Sequence, residues 1–197
     1  MISIASIVEG DGEVSALPIL LRRLASELEP AVLVNLLQPI RVRRDKFLNK
    51  EDEFRRQLLL AAAKSGRDGW VLVVLDADDD CPASLGREIH RRAQEHIPHQ
   101  RLSVVLANRE FEAWFIAAAP SLQGARGFSI APEEQIQAET PRNAKGWMRL
   151  HMQSGTYSEI LDQPAFAARI DLQQAFDNSR SFRKLCKEWR IHVAARA

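Results

Sequence analysis

The sequence predicts an α/β fold: a mainly parallel four-stranded sheet with helices on both faces, followed by a helical C-terminal extension. Three observations predict it. Short apolar runs alternate with helix-period stretches from the N-terminus to Ala119, which is the pattern of βαβ units. One run, Trp70 to Leu75, is apolar at every position, as a strand covered by helices on both faces must be. Finally, 197 residues that are 46% apolar and 27% charged suffice for one domain with a sizeable core.

The elements follow in order. Ile2 to Val8 reads as the first strand, and Val14, Leu17, Leu21, Leu24 and Leu28 then recur at helical spacing. Ser15 as N-cap would put Pro18 in the first turn, where a missing N–H costs nothing. Ala31 to Leu37 is apolar enough for a second strand, and Arg41, Arg43, Arg44 and Lys46 form a basic loop or edge segment after it. A helix capped by Asn49 carries Glu51 and Asp52 in its first turn, Phe54 and Leu58 inward, and Gly66 as its stop. The Trp70 run is the third strand, a helix spans about Ser84 to His96, and Leu102 to Leu106 is the fourth strand. "NREFEAWFIAAA" opens the next helix.

Beyond Ala119 the pattern changes. Residues 120–145 hold five of the chain's Pro and Gly residues, and short helices are expected around Leu150, from Ile160 to Phe176 and from Phe182 to Trp189. The division is therefore a core at 1–119 and, at 120–197, an irregular linker and helical extension packed on it.

Net charge is +1, which selects no partner class by itself. Of the 27 basic residues six are Lys and the rest Arg, the better bidentate phosphate ligand. Cys81 and Cys186 are too far apart in sequence for a disulfide framework or a CxxC knuckle and suit a reducing compartment. With no charged leader and no membrane-length apolar run, the expected location is cytoplasmic.

The acids carry the chemistry. In a parallel sheet the ligand site lies at the carboxyl ends of the strands, and the acids gather there. "EGDGE" puts Glu9 and Glu13 after the first strand, "LDADDD" puts Asp76, Asp78, Asp79 and Asp80 after the third, and Glu110 and Glu112 follow the fourth. Such a cluster repels itself unless the side chains splay into water or a cation holds them. Oxygen ligands without neighbouring Cys or His favour Mg²⁺ or Mn²⁺ over Zn²⁺. Gly10 and Gly12 allow a sharp turn and close approach of a bulky group, and the helix behind them could present N–H groups to a phosphate.

A Glu after the first strand with an Asp-x-Asp after a later buried strand resembles the Toprim domain of topoisomerases, primases and the overcoming-lysogenization-defect nucleases. The fuller resemblance is to the Toprim-like family called domain of unknown function 4276. It rests on "VEGDGE", "VLDADDDCP", "NREFEAWFIAA", the lone Lys145, "YSEIL" and "SRSFRKL", and covers nearly the whole chain. The resemblance implies a Toprim-like, Rossmann-like core and a divalent-metal site for phosphodiester hydrolysis. Carried over by position, the metal ligands are Glu9, Glu13, Asp76, Asp78 and either Glu110 or Glu112, and Lys145 is the catalytic lysine. Such members are often encoded beside an ATPase, in settings linked to phage defence. Metal-activated water would attack phosphorus while Lys145 offsets the growing charge.

Other residues have plainer readings. Glu13 and Glu110, taken singly, read as helix-capping acids. Two acids two apart in a helix cannot point the same way, which favours Glu110 over Glu112. Asp79 and Asp80 face solvent, Trp114 and Phe115 belong to the core, and His96 and His99 lack partners for a zinc set. Arg43, Arg44, Arg109 and Arg183 are the candidate nucleic-acid contacts, although the Arg41 to Lys46 segment reads equally as a solvated loop and Arg183 as part of an amphipathic helix. The lone tyrosine, Tyr157, lies far in sequence from the acids, which argues against a topoisomerase.

Three functions stand at this point. The first is a Mg²⁺- or Mn²⁺-dependent nuclease acting on DNA or RNA. The second is an effector controlled by a partner ATPase, since the chain has no P-loop of its own. The third is a haloacid-dehalogenase-like phosphatase, a nucleotide-binding protein or a non-catalytic scaffold. "DADDDCPAS" is a poor match to a phosphatase nucleophile loop.

Overall fold

The structure is a computed structural model that describes residues 1–194; the last three residues of the expected extension lie outside the described residues. The first half runs β1 (Ile2–Val8), α1 (Asp11–Leu28), β2 (Val34–Leu36), β3 (Ile40–Arg41), α2 (Arg44–Asn49), α3 (Glu51–Ser65) and β4 (Trp70–Asp76). Then come α4 (Pro82–His96), β5 (Arg101–Ala107), α5 (Ala113–Ala117), α6 (Ala144–Leu150), α7 (Glu159–Ala167), α8 (Leu172–Asn178) and α9 (Arg180–His192).

All the paired strands are parallel, in the order β2-β1-β4-β5, with β3 also on β1. The chain is thus α/β with a five-stranded sheet rather than four. The additional strand is the basic segment: Ile4 pairs with Leu36 and Ile7 with Ile40, so β2 and β3 share one edge of β1. Pro39, which has no N–H, stands in the gap between them, so one edge strand becomes two short ones.

The sheet is covered on both faces, and β4 shows why its sequence is apolar throughout. Trp70, Leu72 and Val74 belong to one core with Leu17 and Leu21 of α1, Trp114 of α5, Phe166 of α7 and Phe182 and Trp189 of α9. Val71, Val73 and Leu75, the alternate set, belong to a second core with Phe47 of α2, Phe54 and Leu58 of α3 and Ile89 of α4. The period of two sends each set to its own face. Residues after Ala119 therefore complete a core that β1, β4 and α1 share; burying each of Phe166 and Phe182 is worth about 1.5–3 kcal/mol.

Several helix ends differ from expectation for local reasons. α1 begins at Asp11, not after Ser15, because Gly10 is extended (φ −87°, ψ 152°) and the Glu13 carboxylate folds back to accept from the Glu9 N–H at 3.2 Å. Pro18 is consequently inside the helix, which holds through its buried face of Leu17, Leu20, Leu21 and Leu24. α3 is capped by Lys50 rather than Asn49, since Asn49 closes the separate turn of α2. The stretch from Ile160 to Phe176 is two helices; Asp171 caps the second, accepting from Gln174 N at 2.8 Å.

One polar chain crosses the first core. Trp70 Nε1 donates to Ser103 Oγ at 3.1 Å, and Ser103 in turn donates to Glu188 of α9. Burial alone would raise the Glu188 carboxyl, but hydrogen bonds from His192, Lys184 and Ser103 prevail and pull it from 4.5 to about 2. No helix among the described residues is long and apolar enough to cross a membrane.

A carboxyl depressed in the folded state adds stability above its unfolded value and loses it as pH falls toward the folded value. Glu188→Gln should therefore flatten the acid limb of the stability curve between pH 4.5 and about 2. Urea unfolding across that range reads the effect, and an unchanged acid limb would show that α9 is not held through this carboxylate.

Candidate functional site

The carboxyl ends of β1, β4 and β5 converge on one side chain that comes from outside the sheet. Lys145, in the first turn of α6, places its Nζ 3.5 Å from Asp76 Oδ2, 3.4 Å from Glu110 Oε1 and 3.8 Å from Glu112 Oε2. Its main-chain N–H also donates to Glu110 Oε2 at 2.9 Å, so Glu110 holds the lysine at both ends, while Asn143 caps α6. Asp76, the last residue of β4, is 6% exposed and accepts from Phe111 N at 2.7 Å through its other oxygen. Glu9 and Glu13 join from the β1–α1 turn, lining with Asp76, Lys145, Arg41 and Tyr157 a cleft of about 470 Å³.

Both Glu110 and Glu112 reach Lys145, against the expectation that only one would. The reason is local: α5 starts at Ala113, and residues 108–112 form a turn closed by Ala113 N to Glu110 O at 2.9 Å, with Arg109 left-handed (φ 68°). Helical spacing does not apply there. Glu112 is wholly buried, and its Oε1 accepts from Tyr157 Oη at 3.1 Å and from Gln163 Nε2 at 2.8 Å. Tyr157 is thus a wall of the site despite its distance in sequence. Burial and then the neighbouring Glu112 charge hold its phenol well above its ordinary value, as a neutral donor.

Asp78 stands at the edge of the cluster, close enough for its charge to act on Glu9, and pairs with Arg44. It is left-handed (φ 50°), a conformation Asp tolerates, and lies 3.3 Å from Arg44. Arg44 is a clamp on this loop, donating to Asp76 O at 3.1 Å and Asp80 Oδ2 at 2.7 Å. Arg109 pairs with Asp79 and donates to Asp78 O, and Arg183 donates to Phe176 O and Asp177 O, closing the end of α8. Of the four arginines expected to meet nucleic acid, three are engaged within the fold, and Arg43 is exposed with no ion pair among the described residues. Gly12 also has a different use. A Cβ there would overlap Gln163 Oε1 and the Glu159 carbonyl, so this glycine admits α7 against α1 rather than a ligand.

Electrostatics follow from crowding. Burial, then the like charge of Asp78, raises Glu9; burial raises Glu112; burial and Glu13 raise Asp76 well above the usual carboxylate range. Glu13 is pushed by burial, against hydrogen bonds from Glu9 and Gly10, up to about 7. Lys145 is held charged: burial works against the ammonium, but Glu112, Asp76 and Glu110 outweigh it. Glu9 Oε2 and Glu112 Oε2 are buried with no hydrogen-bond partner. Among the described residues no three such side chains are already spaced to enclose an ion; the lysine stands among them instead.

A larger cleft of about 670 Å³ lies along β5 between α4 and α9. Arg180 pairs there with Glu139 and Lys184 with Glu188, Arg87 donates to Ser84 Oγ, and the cleft contains none of the carboxylates around Lys145. Lys145 and Asp76 line the smaller cleft.

A carboxyl raised by the fold costs stability as pH climbs through its folded value. Glu13→Gln keeps an acceptor for the Glu9 N–H and removes the charge. It should be more stable than wild type at pH 8, by about 3 kcal/mol for a shift of that size, with the gain gone below pH 4.5. Denaturant titration at the two pH values measures it; equal gains at both would mean that the charge is not what strains the site.

Comparison with known proteins finds one family, described as a domain of unknown function (DUF4276), which matches residues 8–189. No curated protein and no solved structure matches. The match includes β1 from Val8, every carboxylate of the cleft, Lys145, Tyr157 and α9 to Trp189, and on that extent the chain belongs to the DUF4276 family.

Proposed function

We propose that the cleft binds a divalent cation, Mg²⁺ or Mn²⁺, and hydrolyses phosphodiester bonds in DNA or RNA, in the manner of the Toprim nucleases that the sequence resembles. The observation that carries this reading is the pair of buried carboxylate oxygens without partners, Glu9 Oε2 and Glu112 Oε2, in a cluster where carboxylates outnumber the single lysine. Buried acceptors left open cost about 1–3 kcal/mol each, and folded proteins rarely retain them without a use. The donor set is all oxygen, which fits a hard cation and not zinc.

Glu9, Asp76 and Glu112 would hold the metal, with Glu13 and Glu110 at its margin. When bound, the metal lowers the pKa of water and offsets charge on phosphate oxygens. Everything else falls to the chain itself. Lys145, kept charged by its neighbours, supplies a cation to the phosphoryl group as negative charge grows. Glu13, at about 7, is able to take a proton near neutral pH. Arg44 and Arg109 fasten the loop after β4 so that Asp76 does not move. Arg41 lines the cleft paired with Asp11 at 2.8 Å, Arg142 lies 3.8 Å from Asp79, and Arg43 is exposed with no ion pair among the described residues, so Arg43 is the unpaired charge a polyanion would meet. The chain has no P-loop, so control by a partner ATPase, if it operates, brings nucleotide hydrolysis from outside.

The reading predicts calorimetric Mn²⁺ binding by wild type that Asp76→Asn abolishes, and cleavage of single-stranded DNA, duplex DNA or RNA that requires Mg²⁺ or Mn²⁺ and disappears in Glu9→Gln. Metal-dependent cleavage surviving both substitutions would remove this site from consideration. Absence of Mn²⁺ binding in wild type would favour a scaffold without the chemistry.

A further inference from the structure

We infer that Tyr157 and Gln163 are positioning residues that fix Glu112 so that its Oε2 faces Lys145 and serves as a ligand of the proposed ion. The inference deepens the metal reading above and rests on it for the identity of the bound ion.

The geometry is asymmetric in an informative way. Both donors, Tyr157 Oη and Gln163 Nε2, fall on Glu112 Oε1 at 3.1 and 2.8 Å. Oε2 receives none and lies 3.8 Å from Lys145 Nζ. A carboxylate held by two donors on one oxygen cannot rotate without breaking both, and a partner that fixes a ligand's orientation is what metal sites use to present a lone pair. Gln163 is itself locked. It is fully buried in α7, and its amide oxygen occupies the space that a Cβ at Gly12 would fill. Tyr157 is steadied by Phe166, whose ring lies 6.3 Å away at an interplanar angle of 15°. A line of contacts therefore runs from the first turn of α1 through α7 to a carboxylate after β5, and it explains the glycine, the glutamine and the lone tyrosine together.

Mn²⁺ calorimetry tests the ligand role. Tyr157→Phe and Gln163→Met should each bind about 10–100-fold more weakly than wild type, with unchanged far-ultraviolet circular dichroism. Gly12→Ala should bind more weakly too, through displacement of Gln163. Wild-type affinity in both Tyr157→Phe and Gln163→Met would overturn the positioning role while leaving the metal reading intact. A wild type that binds no Mn²⁺ would overturn the metal reading and the ligand role with it.

Discussion

The site depends on one ammonium group among buried carboxylates. Lys145 Nζ lies within 4 Å of oxygens from Asp76, Glu110 and Glu112, and without it these groups would face one another with little between them. Removing one partner of such a group commonly costs about 3–5 kcal/mol, because the remaining charge stays buried and uncompensated. The compensation is also incomplete. Glu9, Glu13, Asp76 and Glu112 are all pushed upward, so the fold carries strain at the carboxyl ends of its strands that a purely structural design would discard. On the proposed reading a second cation would answer that imbalance.

The lysine, the tyrosine and the glutamine all come from the part of the chain that follows the last strand. The sheet supplies acids and the later helices supply what orients and neutralises them. α6 brings Lys145, and α7 brings Gln163, while α7 packs on α1 only because residue 12 has no side chain. The same helices bury Phe166, Phe182 and Trp189 in the core shared with β4. Folding of the C-terminal region and assembly of the site are thus one event, and truncation after α5 would remove both the cover of one face and the centre of the cluster.

The strands and the site's outline were legible because both rest on local pattern. β4 announces itself by apolar residues at every position, and Asp76 stands where that run ends. Lys145 came only through family resemblance, since a lone lysine in an irregular segment carries no periodicity. What could not be read depends on contacts made across the fold. The direction of Glu112 follows from a turn that holds Arg109 left-handed, which helical spacing could not foresee. The occupation of Arg44 by Asp76, Asp78 and Asp80 joins residues that nothing in the local sequence pairs. Tyr157 is remote from Glu112 in sequence but in contact with it in space, a contact that no local pattern encodes.

The most direct test of the central claim is the unfolding free energy of Lys145→Met at pH 7.5, measured with and without millimolar Mn²⁺ at constant ionic strength. The account predicts a loss of about 3–5 kcal/mol in the metal-free variant, recovered in part by Mn²⁺ and not by an equivalent monovalent salt. A variant as stable as wild type, or one that Mn²⁺ leaves unchanged, would contradict a carboxylate site that requires a cation at its centre.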